Sequence, residues 1–598
     1  MKRQCLIVCL CTVLMCGMAG CRVSDDEGTL SSDIATEDFE IETMQGNLNE
    51  FLRYETSNKI PITDNDAVYA QDDDLEVVTM YLTVQQGREV DGTNHTWEEV
   101  NQYSAYYYDT LGIERYMVEG VLQVGDENGP VEGEYGYYAM SPNVTVSIRG
   151  QTSTNREHKN YKISIMDGKG SYKNQKVINL NKHTGELLRY RNKLCFDLME
   201  ELPGMMSART QFVHLYVRDL TQSDKAAFVD YGLYTHVEQI NKTYLESHGL
   251  DKDGHLYKIN EFEFYTYEDV VMLSGDSDYD EKRFEERIEI KGDADHEKLV
   301  RMLEELNDMT IPIEETFSKW FDEENVFSWL AFHILMGNKD TQSRNVFLYS
   351  PLNVDKWYFI SWDNDGALFR TEYALAGKKN GLEWENGISN YWGNVLFRRV
   401  LKSEDYRQKL HTKIEEYRSL LTEDMLQDRI AGYESVVYPF ISRYPDIESL
   451  NGTLKERQTV YENLASEIET NYQEYLASLE KPMPFFIGVP LVTEAGIYVN
   501  WDVAYSFSGD FVTYTVELDD DYTFDTPIYQ AEGVLPGITI SQELEAGKYF
   551  IRVKATDESN DEQYAFDYYL SDDGKEYGVK SFYLTKDGQI LEETYIEE

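Results

Sequence analysis

Two short stretches decide how this chain folds and what it does: Gly337-Asn338-Lys339-Asp340-Thr341-Gln342-Ser343-Arg344-Asn345 and, shortly after it, Ile360-Ser361-Trp362-Asp363-Asn364-Asp365-Gly366. Between them, residues 346–349 and 357–360 have the pattern of short strands. Asp and Asn are also the commonest residues of turns. The order of these residues therefore leaves ordinary surface turns open.

This order of side chains is also the one found in kinase active sites. There a loop Asp positions the acceptor hydroxyl, while an Asn and a later Asp hold Mg²⁺ against the nucleotide phosphates. Asp340, Asn345 and Asp363 follow each other in that way. Taken alone, this spacing is a weaker indication of a catalytic site than of ordinary turns.

Four further motifs accompany these two stretches along the chain. They are Val146-Ser147-Ile148-Arg149-Gly150-Gln151-Thr152-Ser153 with Asn160-Tyr161-Lys162-Ile163, Leu188-Arg189-Tyr190-Arg191-Asn192-Lys193-Leu194, Tyr231-Gly232-Leu233-Tyr234-Thr235-His236-Val237-Glu238, and Val395-Leu396-Phe397-Arg398-Arg399-Val400. In this order the six resemble the motifs of the spore coat protein H (CotH) kinase family, and collinear agreement is more specific than any single motif. The resemblance covers about residues 75–480. It implies an α+β, atypical protein-kinase-like fold with a β-rich N-lobe and a helical C-lobe.

The first residues have the pattern of a bacterial lipoprotein signal. Lys2 and Arg3 precede an apolar run over residues 5–14 that is too short to span a bilayer, and Met18-Ala19-Gly20-Cys21 follows with small residues at the cleavage site. We therefore expect residues 1–20 to be removed and Cys21 to be lipidated, which anchors the protein to the outer side of the cytoplasmic membrane at the bacterial cell surface. Residues 21–74 would form an acidic flexible tether. A plain secretory signal with a chance Cys is the alternative.

The cysteines and histidines offer no metal site by their spacing. Four of the six cysteines lie in the expected signal, so the mature chain keeps Cys21 and Cys195. If Cys21 is acylated, neither a disulfide nor a cysteine metal site can form. His158, His183 and His236 are scattered without ligand spacing.

The negative charge of the chain argues against nucleic acid as a partner and makes its few clusters of cations candidate anion-binding residues. The formal net charge is −54, so the protein repels nucleic acid and anionic lipid. A nucleotide would need local basic residues and a divalent metal to enter such a protein. The densest groups of cations lie in the motifs quoted above: Arg149, Arg156, Lys159 and Lys162, then Arg189, Arg191 and Lys193.

Hydrophobic patterning divides the chain into a strand-rich part, a helical part and a second strand-rich part. Strands are predicted to dominate residues 75–165, and helices to follow at 187–202, 323–336, 395–421 and 454–479. We assign residues 75–485 to a CotH kinase-like domain. Residues 488–598 contain predicted strands at 497–501, 512–518, 549–555 and 577–584 and resemble a fibronectin type III β-sandwich, which is expected to bind a protein or glycan partner or to act as a spacer.

The resemblance implies a role for each candidate site residue. Asp340 would orient the attacking hydroxyl or accept its proton, Asn345 and Asp363 would ligate Mg²⁺, and Asp365 would make a second metal contact or orient the first. Lys162 and Arg149 would bind the phosphates of ATP, and Glu238 would meet the adenine or a cation. Each has a plain alternative: a helix-terminal turn residue, a solvated strand end, a surface charge or an exposed strand glutamate.

The function that the resemblance implies is transfer of the ATP γ-phosphate to Ser or Thr hydroxyls of surface or coat proteins, with Mg²⁺ as the metal cofactor. The acidic charge of the chain predicts that nucleic acid is not a partner. The alternative from another class is a non-catalytic surface adhesion or envelope-organising lipoprotein with a pseudokinase scaffold. A cell-wall hydrolase with paired carboxylates is the weakest hypothesis, because it leaves the basic motifs unexplained.

Overall fold

The computed structural model describes residues 63–70, 72–377, 384–572 and 574–593. The expected signal peptide, the lipidation residue Cys21 and most of the expected tether lie outside these residues. In the described part of the chain, no helix combines the length and the apolarity needed to cross a membrane. The structure has separate helical segments and mainly antiparallel sheets, so the fold is α+β.

A large sheet contains most of the strands in the first part of the described chain. These are β1 (Val77–Gln85), β2 (Val118–Asp126), β3 (Gly129–Pro130), β4 (Val144–Arg149), β5 (Asn160–Ile165), β6 (Val177–Asn181), β7 (Thr210–Asp219) and β8 (Val229–Glu238). Their order is β1-β7-β8-β6-β5-β4-β2-β3, and β1 also pairs with β2, so the sheet closes on itself. Closure leaves few unpaired strand edges.

The interior of this closed sheet is apolar because its strands alternate. In β2, Val118, Leu122 and Val124 are buried while the residues between them are half-buried, as the period of two in a strand requires. The same cluster contains Met80, Leu82, Val146, Ile163, Ile178 and Leu215 from the other strands.

Two short helices, α1 (Trp97–Gln102) and α2 (Ala105–Leu111), interrupt the region where strands were predicted to dominate. The first begins in a capping box: the Thr96 hydroxyl accepts from the Glu99 backbone N–H, and the Glu99 carboxylate accepts from the Thr96 backbone N–H. Such a box satisfies two otherwise unpaired donors at once.

A smaller sheet and most of the helices follow. The sheet has the order β10-β9-β11-β12, with β9 (His255–Ile259), β10 (Ile288–Ile290), β11 (Val346–Ser350) and β12 (Tyr358–Ser361). The helices are α3 (Arg191–Glu201), α4 (Lys242–Ser247), α5 (Glu281–Arg287), α6 (Glu297–Asn307), α7 (Ile313–Trp320), α8 (Glu323–Met336), α9 (Arg370–Leu375), α10 (Val395–Lys402), α11 (Glu404–Leu420), α12 (Glu423–Ile441), α13 (Leu454–Asn463) and α14 (Glu467–Glu480).

Helix α8 carries the first of the two deciding stretches at its end. The Asp322 side chain caps its start, and Gly337 ends it in the left-handed region at φ 58°. Every residue of 325–336 is buried, so α8 runs through the core. The prediction of a helix over 323–336 is confirmed.

Three other predicted helices differ from the structure in their bounds. The helix expected over 187–202 begins at Arg191, because Arg189 takes the left-handed region at φ 64°. The segment 395–421 is divided at Ser403 into α10 and α11, and 454–479 is divided by a 3-10 turn at Leu464–Ser466 into α13 and α14. A periodic apolar pattern does not show such short breaks.

The last part of the described chain is built from strands with a core of their own. They are β13 (Leu491–Thr493), β14 (Gly496–Val499), β15 (Thr513–Asp519), β16 (Tyr529–Val534), β17 (Ile538–Ile540), β18 (Gly547–Thr556), β19 (Glu562–Tyr564), β20 (Tyr568–Ser571), β21 (Gly574–Tyr577), β22 (Val579–Leu584) and β23 (Ile590–Glu592). Trp501, Val516, Ile551 and Phe582 lie in that core. The four strands predicted here correspond to β14, β15, β18 and β22, with bounds that shift by a few residues.

The last residues of the expected tether are packed against the folded part of the chain. Asp72 forms ion pairs with Arg209 at 2.6 Å and with Lys173 at 3.1 Å, and the Tyr69 hydroxyl donates to the Ser207 carbonyl at 3.0 Å. The folded part of the chain therefore includes residues before Leu75, the residue at which the sequence pattern placed the start of the domain.

Candidate active site

A cavity of about 700 Å³ brings together side chains from distant parts of the sequence. We call it the site cavity. It is lined by residues 149–153 at the end of β4 and by Asn181, His183, Thr184 and Gly185 at the end of β6. Asp340, Arg344 and Asn345 after α8 and Trp362, Asp363 and Asp365 after β12 also line it, with Lys258, Glu289 and Lys291 in or beside the smaller sheet. Its volume is in the usual range for a small-molecule site.

The hairpin of β11 and β12 places the two deciding stretches side by side. Val346 is paired with Ser361, so Asn345 and Trp362 stand opposite each other at the end of the ladder. The Trp362 N–H donates to the Asn345 carbonyl at 3.0 Å. The amide of Asn345 and the carboxylate of Asp363 consequently leave the sheet at the same end.

Gly366 brings the loop of Asp340 against the loop of Asp363. A Cβ atom placed on Gly366 would lie 3.2 Å from Asp340 Oδ2 and 3.1 Å from Asn338 Oδ1, closer than side chains normally approach. The absence of a side chain at position 366 thus allows the Asp340 carboxylate to reach the turn that contains Asp365.

Two candidate ligand residues have left-handed backbone conformations. Asn345 has φ 59° and Asp363 has φ 51°. Asn and Asp tolerate this region better than other residues with a side chain, but the conformation still costs about 1 kcal/mol or more per residue. Such strain persists where the surrounding structure imposes it, and it is common at functional sites.

Residues at the start of helix α3 form hydrogen bonds with the loop that contains Asp363. The Asn192 side-chain carbonyl accepts from the Asn364 N–H at 2.9 Å, and the Ser361 hydroxyl donates to the Asn364 side chain at 3.0 Å. The Arg191 guanidinium donates to the Leu368 carbonyl at 3.0 Å. Asn364 is buried, whereas Asp363 and Asp365 on either side of it line the cavity.

The carboxylates of this loop repel each other. Burial and the charge of Asp340 raise the pKa of Asp363, while Arg149 and Lys258 oppose the rise. The charge of Asp363, followed by burial, raises the pKa of Asp365 well above its usual range. A bound cation would relieve this repulsion, since it favours the ionised form of both groups.

The donor set fits a divalent cation that also binds a ligand. Asp340, Asn345, Asp363 and Asp365 offer the hard oxygen donors that Mg²⁺ prefers. In the part of the chain that the structure describes, no three His, Cys, Asp or Glu side chains are grouped tightly enough to hold a metal by themselves. Mg²⁺ is usually held by one or two carboxylates with the remaining oxygens from water and phosphate, and this arrangement fits that pattern.

The lining of the site cavity is rich in cations, in a chain whose formal net charge is −54. Six cationic side chains line the cavity against four carboxylates: Arg115, Arg149, Arg156, Lys258, Lys291 and Arg344 against Glu289, Asp340, Asp363 and Asp365. Burial lowers the pKa of Arg149 to about 10, although Asp363 opposes the shift, so this guanidinium stays charged at neutral pH. Arg149 also donates to the Asn181 side chain and lies 5.7 Å from the centre of the Trp362 ring.

The structure does not place Lys162 in the site cavity. Lys162 lies in β5, next to Ser147 of β4, on an exposed face of the closed sheet. Partial burial and the like charges of Lys291, Arg149 and Arg115 lower its pKa. It stands near the cations of the cavity without lining the cavity.

Glu238 is also outside the site cavity and is not an exposed strand residue. Its buried carboxylate accepts from the Gln175 side chain at 2.5 Å and from the Arg209 N–H at 3.1 Å. It also lies 3.0 Å from His248 Nε2, and although burial opposes the shift, hydrogen bonds to Asp64 and Glu238 raise the pKa of His248 to about 9. The carboxylate of Glu238 is therefore occupied by partners outside the site cavity, and His248 is a cation within its reach.

The cations of the helical motif have internal partners rather than a ligand. Arg189 pairs with Asp446 at 3.2 Å, and Lys193 pairs with Asp197 at 2.7 Å. Arg191 pairs with Glu186 at 3.1 Å and also contacts Glu372. Of this motif, Arg191 and Asn192 act on the site through the Asp363 loop, as described above.

Sequence reasoning missed Lys258 and Lys291. Lys258 reaches the site because β9 pairs with β11, where Lys258 stands opposite Phe347. Glu289 lies between the two lysines, at 2.9 Å from Lys258 and 2.6 Å from Lys291. The only local signal was the strand pattern of His255-Leu256-Tyr257-Lys258-Ile259, which does not show what the strand pairs with.

A family model described as "CotH kinase protein" matches residues 146–475. The match begins in β4, next to Arg149, and ends in α14, so it contains all of the site cavity except Arg115. No curated protein matches the chain.

Proposed function

The chain belongs to the CotH kinase protein family, and from that premise we propose that it is an atypical protein kinase that transfers the ATP γ-phosphate to Ser or Thr hydroxyls of surface or coat proteins. One observation carries the proposal: Asp340, Asn345, Asp363 and Asp365 line the same cavity as six cationic side chains, in a strongly acidic chain. A divalent cation would neutralise the carboxylates of this cavity, and a negatively charged ligand would neutralise its cations.

The residues that would hold Mg²⁺ are Asn345 and Asp363, with Asp365 as a further ligand or an orienting group. When bound, Mg²⁺ would neutralise charge on the β- and γ-phosphates. The end of the β11–β12 hairpin and the hydrogen bond that the Asn364 N–H donates to the Asn192 side chain hold these oxygens in place before any ligand enters.

Asp340 would orient the acceptor hydroxyl and take its proton as the phosphate is transferred. Its carboxylate is exposed to the cavity, and Gly366 leaves room for it beside Asp365. Phosphoryl transfer needs little more from a protein than positioning and charge stabilisation. A carboxylate held on a short loop after a buried helix suits that role.

The phosphates would be bound by Arg149 and by Lys258. Both act electrostatically on Asp363 in the structure, so both lie close to the place where a metal-bound phosphate would be. The loop after β4 would cover the phosphates, since Gly150 to Ser153 line the cavity and Gly150 has φ 93°. Lys162 would then add only to the positive potential near the cavity.

The wider architecture supports the same proposal. Both the closed sheet and the part of the chain that contains the smaller sheet and most of the helices contribute residues to the site cavity, which supports a catalytic site between a β-rich and a helical lobe. We assign residues 75–485 to the catalytic domain and the strands after residue 488 to a fibronectin type III-like sandwich. The signal pattern at Cys21 supports a location outside the cytoplasmic membrane, with the protein held by a lipid anchor.

Calorimetry and phosphate transfer test the proposal directly. The chain without its first 21 residues should bind ATP only with Mg²⁺ and should transfer label from γ-³²P-ATP to a protein substrate or to itself. Asp363→Ala should abolish Mg²⁺-dependent binding, because it removes the main ligand. Asp340→Asn should retain binding and lose turnover by about 10²- to 10⁴-fold.

The alternative of a non-catalytic surface protein makes the opposite prediction. It requires that neither substitution changes any measurable property other than stability. If the unsubstituted chain shows no heat of ATP binding and no label transfer, that result would favour the alternative.

A further inference from the structure

The C-terminal strands contact the segment that holds the loop of Asp340. The Tyr577 hydroxyl, at the end of β21, donates to Glu385 Oε1. The other carboxylate oxygen of Glu385 accepts from Lys339 Nζ at 3.1 Å. Lys339 is the residue before Asp340, so two side-chain contacts connect the C-terminal strands to the loop.

Aromatic packing fixes the same contact. The Trp384 ring lies 5.2 Å from the Tyr577 ring at an interplanar angle of 90°, and 5.1 Å from the Phe566 ring. Trp384 and Phe566 belong to the buried cluster that contains the residues of α8. The core of the helical part is therefore continuous with side chains of the C-terminal strands.

The same segment also holds the main chain of the Asp340 loop. The Asn390 side chain donates to the Lys339 carbonyl at 3.2 Å, and the Asn394 side chain donates to the Gln342 carbonyl at 2.8 Å. Lys339 is thus held by both its ammonium and its carbonyl, and the peptide unit that joins it to Asp340 has little freedom.

The charges in this contact are shielded from solvent. The side chains of Lys339 and Glu385 are 21% and 16% exposed. Burial lowers the pKa of Lys339, and Glu385 opposes that change. Burial and the charge of Glu385 raise the pKa of Tyr577, so the phenol remains a hydrogen-bond donor at neutral pH.

We propose that the C-terminal strands are a positioning element of the catalytic loop: Tyr577 holds Glu385, Glu385 holds Lys339, and Lys339 fixes the direction of Asp340. The catalytic part of this inference rests on the proposed function. Tyr577 is a positioning residue, since it is not one of the side chains that line the site cavity. The C-terminal strands are accordingly more than a spacer or a separate binding module.

Tyr577→Phe tests the proposal, with Tyr549→Phe as the matched control. Both substitutions remove one phenol hydroxyl from the C-terminal strands, but the Tyr549 hydroxyl donates to the Glu545 carbonyl within those strands at 2.9 Å. Tyr577→Phe should lower kcat about tenfold and leave KM for ATP unchanged, because misplaced catalytic groups lose turnover rather than binding. Tyr549→Phe should change neither.

A double substitution tests whether Tyr577 acts on Asp340 through Lys339. Lys339→Met alone should lower kcat at least as much as Tyr577→Phe, and the pair together should lower it no further than Lys339→Met alone, since residues that act through one another are not additive. Independent, multiplicative losses would overturn the proposed route.

Hydrogen exchange gives a measurement that does not depend on activity. The backbone amides of residues 339–345 should exchange faster in Tyr577→Phe than in the unsubstituted full chain, and at the unsubstituted rate in Tyr549→Phe. Equal exchange in all three proteins would overturn the inference. If the unsubstituted chain shows no kinase activity, the proposed function fails, while the exchange rates still decide whether Tyr577 holds the loop.

Discussion

Two cavities of nearly equal volume lie in the described part of the chain, and their linings differ in chemistry. The site cavity measures about 700 Å³ and the second about 690 Å³. We call the second the apolar cavity; it is lined by Met309, Ile311, Pro312, Ile313, Trp392, Arg398, Arg399, Lys402, Pro484, Phe485, Phe486, Asp502, Val503, Ala504, Tyr505 and Phe566. Volume alone therefore does not identify the candidate active site.

The cations of the two cavities differ in what they face. In the apolar cavity, Arg399 donates to the carbonyls of Leu306 and Ile311, and Lys402 lies 5.1 Å from the centre of the Tyr505 ring. In the site cavity, Arg149 instead faces the carboxylate of Asp363. Buried carboxylates with raised pKa values beside cations, such as Asp363 and Asp365, are typical of functional sites, whereas Arg399 donates to backbone carbonyls as cations do in structural packing.

Among the effects that compare the two cavities, the largest is expected for substitutions of their cations. Arg149→Met should weaken Mg²⁺-dependent ATP binding by about tenfold to a hundredfold, the usual range for a lost charge-assisted hydrogen bond. Arg398→Met removes a guanidinium that lies 6.0 Å from the centre of the Tyr265 ring and should leave ATP binding unchanged. Calorimetry on both variants makes the measurement. If Arg149→Met and Arg398→Met bind ATP with equal affinity, the assignment of the nucleotide to the site cavity is wrong.

The next effect concerns backbone spacing. Gly366→Ala places a Cβ atom 3.2 Å from Asp340 Oδ2, so the carboxylate must move, and turnover should fall about fivefold with little change in ATP affinity. Gly393→Ala is the control, since its Cβ atom would lie 3.6 Å from the Phe566 ring, an ordinary contact. Steady-state kinetics with varied ATP separates kcat from KM. A loss of affinity equal to the loss of turnover would place the effect on nucleotide binding instead.

The sequence predicted the parts of the site that depend on local patterns. The end of α8 at Gly337 and the strands before Asp363 follow from capping and from short-range periodicity, and the residues of both deciding stretches line one cavity. Lys162 and Glu238 were expected beside them on the basis of family motifs. The structure places Lys162 on an outer face and pairs Glu238 with His248.

What the sequence did not predict depends on contacts between distant segments. Lys258 comes close to Asp363 through the pairing of β9 with β11, and Glu385 contacts both Lys339 and Tyr577, which are distant from it in the sequence. Strand register and the docking of one part on another are set by side-chain complementarity over the whole chain. Neither is encoded in a window of neighbouring residues.

The smallest expected effect is on the pH dependence of stability. The pKa of Asp365 in the folded protein lies well above its usual value of 3.8, first because of the charge of Asp363 and then because of burial. As pH rises above 3.8, the unfolded chain therefore releases this proton more readily than the folded chain, and folding is destabilised until the raised pKa is passed. Without metal, Asp365→Asn should melt at a higher temperature than the unsubstituted protein at pH 8, and the difference should shrink towards pH 4.

Mg²⁺ gives a second test of the same charge. Mg²⁺ with ATP should raise the melting temperature of the unsubstituted protein more at pH 8 than at pH 5, because the cation binds the ionised carboxylates. Thermal melts in EDTA and in Mg²⁺ across this pH range measure both effects. A stabilisation by Mg²⁺ and ATP that is independent of pH would contradict a metal site that uses the carboxylates of Asp363 and Asp365, since the pKa of each is raised in the folded protein.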